Sequence, residues 1–324
     1  MPTFIQSDLD LLSKHYEVRS LDVGKYEGSF KGEMIVAYRL LRGVLWSDVV
    51  FSWFADRHTR GAVRLSRMFG KPSVVVVGGY EVAKMPEIGY GSMLDPKKAK
   101  TVRYVLKSAT KVLAVSGFSQ EQIRAVSDAD NVELVYNGVD TGTFIPSASK
   151  SNLVLTVGLV NKNTVPLKGF RTFIECAARF PDVRFVVVGL CPDNAVDELK
   201  AVAPKNVEFK GLLPQGELRE IFAKAKVYCQ LSMHESFGMS TVEAMSSGCI
   251  PVVTRAGALP EVVGDTGIFV PYGDVEATTK AIHEALKRTD GDKVRERAKK
   301  LFSIDIRERE FVRIIEGLNP VKPS

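Results

Sequence analysis

Cysteine is scarce: four occur in 324 residues, Cys176, Cys191, Cys229 and Cys249, with no CxxC pair and no disulfide-like cadence. Three lie in or beside apolar segments, so buried free thiols in a reducing cytosol are the simplest account, and a cytoplasmic location is expected. No signal peptide and no apolar run near eighteen residues is present, which argues against unaided secretion and against a membrane-spanning helix. Charge of one sign is not concentrated either. Lys+Arg number 44 against 38 Asp+Glu, a balance of +6 with no long basic block interleaved with aromatics, so nucleic acid is not expected as a partner. No GxGxxG follows a strand-like run, which counts against an NAD-dependent oxidoreductase.

What remains is the composition of an ordinary globular protein, 45% hydrophobic and 25% charged, in a chain long enough for two cores. In the first half, strand-length apolar runs at Glu17–Val23, Asp48–Phe54, Ser73–Val77, Lys111–Ser116 and Val132–Tyr136 alternate with helical patterns at Thr3–Ser13, Met34–Leu45, His58–Phe69, Pro96–Ser108 and Ser119–Ala125. Val74–Val77 is β-branched throughout, as a strand buried on both faces requires. A polar stretch, Thr143–Asn152, reads as a connector, and the same alternation resumes beyond it with six strands from Leu153 to Val270. The pattern predicts an α/β protein with two Rossmann-like domains, residues 1–148 and 149–324. The opening strand and glycine turn such domains normally carry are not seen, since Met1-Pro2-Thr3-Phe4 already reads as the entry to a helix, so either the sequence starts late or the sheet does without that strand.

The most informative stretch is Met233–Thr254, MHESFGMSTVEAMSSGCIPVVT, which reads as loop, short helix, tight stop and buried strand. Gly238 stands at the expected helix start, where the absence of a side chain lets a ligand approach the unpaired amides and the positive end of the helix dipole. Such an end binds anions. Glu243 lies about one turn further on, roughly 6 Å along the axis at 1.5 Å per residue. That is about the span from a diphosphate to its ribose, and Glu235, in the loop, would face whatever is attached beyond the phosphates. The plainer alternative makes Glu235 an ordinary dipole partner. It leaves Glu243 unexplained, since a carboxylate between Val242 and Ala244 is costly unless something pairs with it.

The run HESFGMSTVEAMSSGCIPVV resembles the E-x7-E signature of retaining glycosyltransferases of family four, which have the GT-B fold. Asn137-Gly138-Val139-Asp140, Val157-Gly158 followed by Lys168-Gly169, and Leu259-Pro260-Glu261 followed by Gly264 and Gly267 occur in that family's order. The resemblance covers about residues 110 to 315. It implies two parallel sheets facing across a cleft, with the last helix crossing back to the first domain. It also implies transfer of a sugar from a nucleotide diphosphate sugar to an acceptor hydroxyl, with retention of configuration and without a metal or other cofactor. Residue by residue, it implies that Glu243 holds the ribose and Lys168 the diphosphate. Glu235 and the amides of Phe237, Gly238, Met239 and Ser240 would hold the sugar, Gly158 would belong to the donor site, and Gly189 and Gly211 would bring backbone near the base. Leu159 occupies the slot where the family commonly carries an arginine, and Lys162, in the long loop Val160–Leu167, is the candidate replacement, a flexible surface lysine being the alternative.

In the first domain many family members carry a histidine where this chain has Gly78-Gly79-Tyr80-Glu81. Glu81 is therefore a catalytic candidate, a surface carboxylate being the alternative, while His58 is read as structural ahead of a cleft role. Because of the missing strand and histidine, a non-catalytic nucleotide-sugar-binding protein stands as the second reading. A nucleotide-sugar epimerase is disfavoured by the E-x7-E spacing. The acceptor, whether lipid, polysaccharide or small molecule, is not legible. The lysine-rich row from Lys97 to Lys111 is read as a solvated face, with peripheral membrane contact as its alternative.

Overall fold

The computed structural model describes residues 3–22 and 30–318. The chain divides into two units, Met1–Asn137 with Arg307–Ser324, and Gly138–Ile306. The first unit contains a four-stranded parallel sheet of β1 (Val50–Trp53), β2 (Ser73–Val77), β3 (Lys111–Ala114) and β4 (Val132–Leu134), paired in chain order. Val74–Val77 have no exposed surface, which accounts for the unbroken β-branched run. Residues 17–22, expected to be a strand, have none, and Val23 lies outside the described residues. β1 is the edge of its sheet, with β2 its only strand partner among the described residues. The order therefore supplies no strand between residues 17–22 and β1 through which they could be paired.

The second unit holds six parallel strands: β5 (Ser151–Val157), β6 (Arg184–Val188), β7 (Val207–Phe209), β8 (Ala225–Gln230), β9 (Ile250–Thr254) and β10 (Ile268–Val270). Their order is β10-β9-β8-β5-β6-β7. The chain winds outward from β5 through β6 to β7, then returns to lay β8 on the other side of β5. The boundary between β5 and β8 is thus a topological switch point, and the crevice at the carboxyl ends of such strands is where ligands bind in open α/β sheets. Phe170, Phe173, Phe185, Phe222 and Tyr228 are fully buried around this sheet.

The stretch expected to be a connector, Thr143–Asn152, is fastened into the second unit. The Phe144 carbonyl accepts from Ser246 Oγ (2.9 Å) and Arg295 (2.6 Å), and Lys150 Nζ donates to the Ser247 carbonyl (2.5 Å). The division between units accordingly falls after Asn137 rather than at residue 148.

At the other end, the expected break near Ser303 separates helices Gly291–Phe302 and Ile304–Leu318. From Arg307 onward the last helix belongs to the first unit, where Phe311 meets Phe51 at 5.3 Å between ring centroids. The Arg307 guanidinium, 2% exposed, grips Asp8 with two 2.7 Å bonds and also donates to the Tyr136 carbonyl (2.8 Å), while Trp53 Nε1 donates to Asp8 (2.8 Å). A buried pair this fully hydrogen-bonded joins the two ends of the sequence within one core.

Candidate active site

The site grows from β8. Along its carboxyl end, Tyr228, Gln230 and Ser232 alternate to one face and form a hydrogen-bonded row. Tyr228 Oη donates to Gln230 Oε1 (2.6 Å), and Gln230 Nε2 donates to Ser232 Oγ (2.7 Å) and to Glu235 Oε2 (3.2 Å). The same Glu235 oxygen accepts from Lys168 Nζ at 2.6 Å. Glu235 and Lys168, 67 residues apart, are thus one half-buried ion pair at the β5/β8 switch point. The loop that carries Glu235 is braced from outside: its carbonyl accepts from Ala258 N (2.8 Å), and a Cβ on Gly257 would stand 2.0 Å from that oxygen. The Gly257-Ala258 turn is therefore structural.

The following helix, Met239–Ser246, starts at Gly238, whose φ of 95° a side chain would strain. Its first amides have no intrahelical acceptor, so they present an anion-binding end beside Glu235. Phe237 lies buried with its ring edge-on to Phe302, which fixes the backbone immediately before that end. Glu243 sits within the helix, half-buried, with no hydrogen bond to its carboxylate among the described residues. Burial pushes its pKa from 4.5 to about 7 against the opposing pull of the Arg219 cation. Burial, with Glu235 and Glu243 adding to it, also holds the Tyr228 hydroxyl well above its ordinary pKa, so Tyr228 stays a neutral donor. His234, in the same loop, has its pKa lowered by burial.

The glycines converge on the same strand ends. Gly158 N donates to the Val188 carbonyl and Gly189 N to the Gly211 carbonyl, both at 2.9 Å. A Cβ on Gly189 would stand 1.7 Å from Gly158 O, so only glycine permits this approach of β5 to β6. Lys168 lies along Gly158, with its side-chain carbons 3.9 Å from where a Gly158 Cβ would be.

Two expected residues stand apart. Lys162 is exposed, and its amide bonds to Asp193 Oδ2 (3.1 Å). The loop around it is shorter than expected, because Asn161 Oδ1 accepts from the amides of Asn163 and Thr164 and starts a helix, Thr164–Lys168. Glu81, in the first unit, is not a surface carboxylate. It is 4% exposed and accepts from the amides of Gly78 (3.1 Å), Gly79 (2.9 Å) and Ala55 (3.3 Å), burial raising its pKa while these bonds oppose it. Its carboxylate is occupied in shaping the turn after β2.

Residues 144–301 match the family model described as glycosyl transferases group 1. The second unit is a group 1 glycosyl transferase domain. Among curated relatives, the chain is 34% identical to the MMP alpha-(1->4)-mannosyltransferase of Mycolicibacterium hassiacum, over 61% of this chain and 52% of that protein. It is 25% identical to the phosphatidylinositol N-acetylglucosaminyltransferase gpi3 subunit of Schizosaccharomyces pombe, over 68% of this chain and 54% of that protein. The chain thus spans about half the length of these two relatives. Among solved structures, the Anabaena protein Alr3699/HepE in complex with UDP-glucose superposes with a TM-score of 0.78 at 18% identity, covering 95% of this chain and 88% of that one. The fold is GT-B. In this group 1 domain, the residues that sequence reasoning missed are Tyr228, Gln230, Ser232 and Arg219. For the first three the signal was the every-second-residue spacing of polar groups at 228, 230 and 232, alternating with the apolar Val227, Cys229 and Leu231; Arg219 had none.

Proposed function

We propose that this protein is a retaining glycosyltransferase that moves a sugar from a nucleotide diphosphate sugar to an acceptor hydroxyl without a metal ion. The observation that carries the reading is the convergence of Lys168, Glu235, the Met239–Ser246 helix start and Glu243 on one switch-point crevice of the second unit. Lys168 and the helix amides take the diphosphate and stabilise the charge it gains on leaving. Glu243 accepts the ribose hydroxyls, and Glu235 accepts hydroxyls of the sugar. The bond from the anomeric carbon to the diphosphate oxygen breaks as the acceptor oxygen attacks the same face. The acceptor proton passes to the departing phosphate, so no protein base is needed. The UDP-glucose complex of Alr3699/HepE supports a nucleotide-sugar donor.

The second reading, a nucleotide-sugar-binding protein without transfer activity, is favoured by one observation: Glu81 is held by loop amides at the place where the family resemblance implies a histidine. Calorimetry with UDP, GDP, ADP and their sugars in the presence of EDTA separates the two readings. Micromolar binding followed by release of free sugar, with the α or β configuration of the donor preserved by NMR, establishes the transferase. Binding without any turnover leaves the second reading. Inversion of the anomeric centre, or dependence on a divalent ion, would overturn the proposed chemistry.

A further inference from the structure

The helix Phe30–Trp46 in the first unit buries one side, Val36 and Val44, and leaves a second side apolar as well. Phe30, Met34, Ala37, Tyr38, Leu41 and Leu45 recur at helical spacing within an arc of about 100°. Met34 is 60% exposed, Tyr38 59% and Leu45 51%. Single exposed apolar side chains need no explanation, but a contiguous row of them does.

The surroundings of this row are cationic. Its helix packs against Arg57–Met68, which packs in turn against Pro96–Ser108. Together the three helices carry twelve Lys or Arg and one acid, Glu33, whereas the whole chain balances at only +6. The remainder of the chain is therefore net negative, and the positive charge is segregated onto this helical layer. Gly61 faces the first of these helices, its absent Cβ 3.4 Å from Leu40, while Arg60 stacks on Tyr104 of the third. That orientation turns Arg64 and the exposed Met68 outward beside the apolar row. On the row's other flank Arg42 reaches over the Tyr38 ring, and Arg19 covers Trp46 at 4.0 Å. Arginine heads resting on aromatic rings at the edge of an apolar row are suited to a boundary between apolar and polar phases.

We infer that this layer is a docking surface for an anionic lipid bilayer, the Phe30–Trp46 row entering the headgroup boundary while the arginines and lysines of the next two helices meet lipid phosphates. Charge decides among the occupants. A second copy related by a twofold axis would set these arginines against their own counterparts, and a nucleic acid would leave the apolar row without a use. An anionic bilayer satisfies both features at once. No described helix is long and apolar enough to cross a membrane, so the contact is peripheral.

The test is flotation of the full chain with phosphatidylcholine vesicles and with phosphatidylcholine–phosphatidylglycerol vesicles, at low and high salt. Binding is expected only to the second kind, and it weakens as salt rises. Arg64→Gln and Lys100→Gln should each weaken it about five-fold, the equivalent of ~1 kcal/mol per cation near the surface. Met34→Glu combined with Leu45→Glu should abolish it, while circular dichroism and the melting temperature stay close to wild type, since both side chains project outward. Equal flotation with neutral vesicles, no flotation of the wild type, or unchanged flotation of the double variant overturns the inference. So does a wild-type dimer in sedimentation velocity that the double variant converts to monomer, since that result assigns the row to a protein interface.

Discussion

Replacing Glu243 with Gln separates stability from binding, because the structure makes this carboxylate costly to the fold while the proposed function makes it useful to the ligand. Burial lifts its pKa from 4.5 to about 7, a displacement that amounts to roughly 3 kcal/mol of linkage. Between those two pH values the folded chain holds a proton that the unfolded chain has released. Stability from this group is therefore greatest below about pH 4.5, falls as pH rises, and levels off above about pH 7. The glutamine side chain of the variant cannot ionise, and its own burial cost does not change with pH. Urea unfolding from about pH 5 to pH 8 should show the variant gaining on wild type by up to roughly 3 kcal/mol across that window. The ligand reverses the balance. Ribose hydroxyls donating to an ionised carboxylate contribute about 1.5–3 kcal/mol per bond, so UDP affinity should be roughly ten- to a hundred-fold lower in the variant at pH 8. In wild type it should weaken from about pH 8 to pH 6, as the proton competes with the ribose. Parallel stability profiles for the two proteins would refute the burial argument, and equal UDP affinity would refute the ribose assignment.

Three other substitutions test other parts of the chain. Lys168→Met removes the cation paired with Glu235 at 2.6 Å and should lower kcat by about 10²–10³-fold in steady-state assays; an unchanged kcat removes Lys168 from the chemistry. Gly189→Ala places a methyl group 1.7 Å from Gly158 O and should cost more than about 2 kcal/mol, visible as a lower melting temperature, whereas an unchanged melting temperature would mean that the β5–β6 approach is not tight. Arg307→Met strands the buried Asp8 carboxylate and should destabilise the first unit by about 3–5 kcal/mol in urea; a loss under about 1 kcal/mol would show that the pair is not buried in solution.

The second unit was legible because its constraints are local. β-branched and aromatic runs fall on strands buried on both faces, and Gly189 and Gly238 sit where close approach or a positive φ requires glycine. Six strands were expected from Leu153 to Val270, and six are found, from Ser151–Val157 to Ile268–Val270. The first unit was less legible because what decides it is distant in sequence. Residues 17–22 have strand-like composition but no strand partner, and pairing is not a local property. Asp8 and Arg307 meet across 299 positions, which no spacing rule reaches. Glu81 looked like a free carboxylate because sequence does not reveal that three amides turn toward it.

The Glu235–Lys168 pair adds a constraint that neither residue suggests alone. Both were expected to face the donor, one the sugar and the other the diphosphate, yet they are bonded to each other, with Gln230 holding the shared carboxylate oxygen from the other side. A diphosphate that draws Lys168 toward itself weakens the charge-assisted bond on Glu235 and leaves that oxygen available to sugar hydroxyls. Diphosphate and sugar binding are then coupled through a single oxygen atom. Since the pair is half-buried, the cost of separating its charges is offset only when both ligand groups arrive together. The Lys168→Met variant reads this directly. Its Glu235 has no lysine to release, so the ratio of UDP-sugar to UDP affinity should change from wild type, and an identical ratio would mean that the two halves of the donor bind independently.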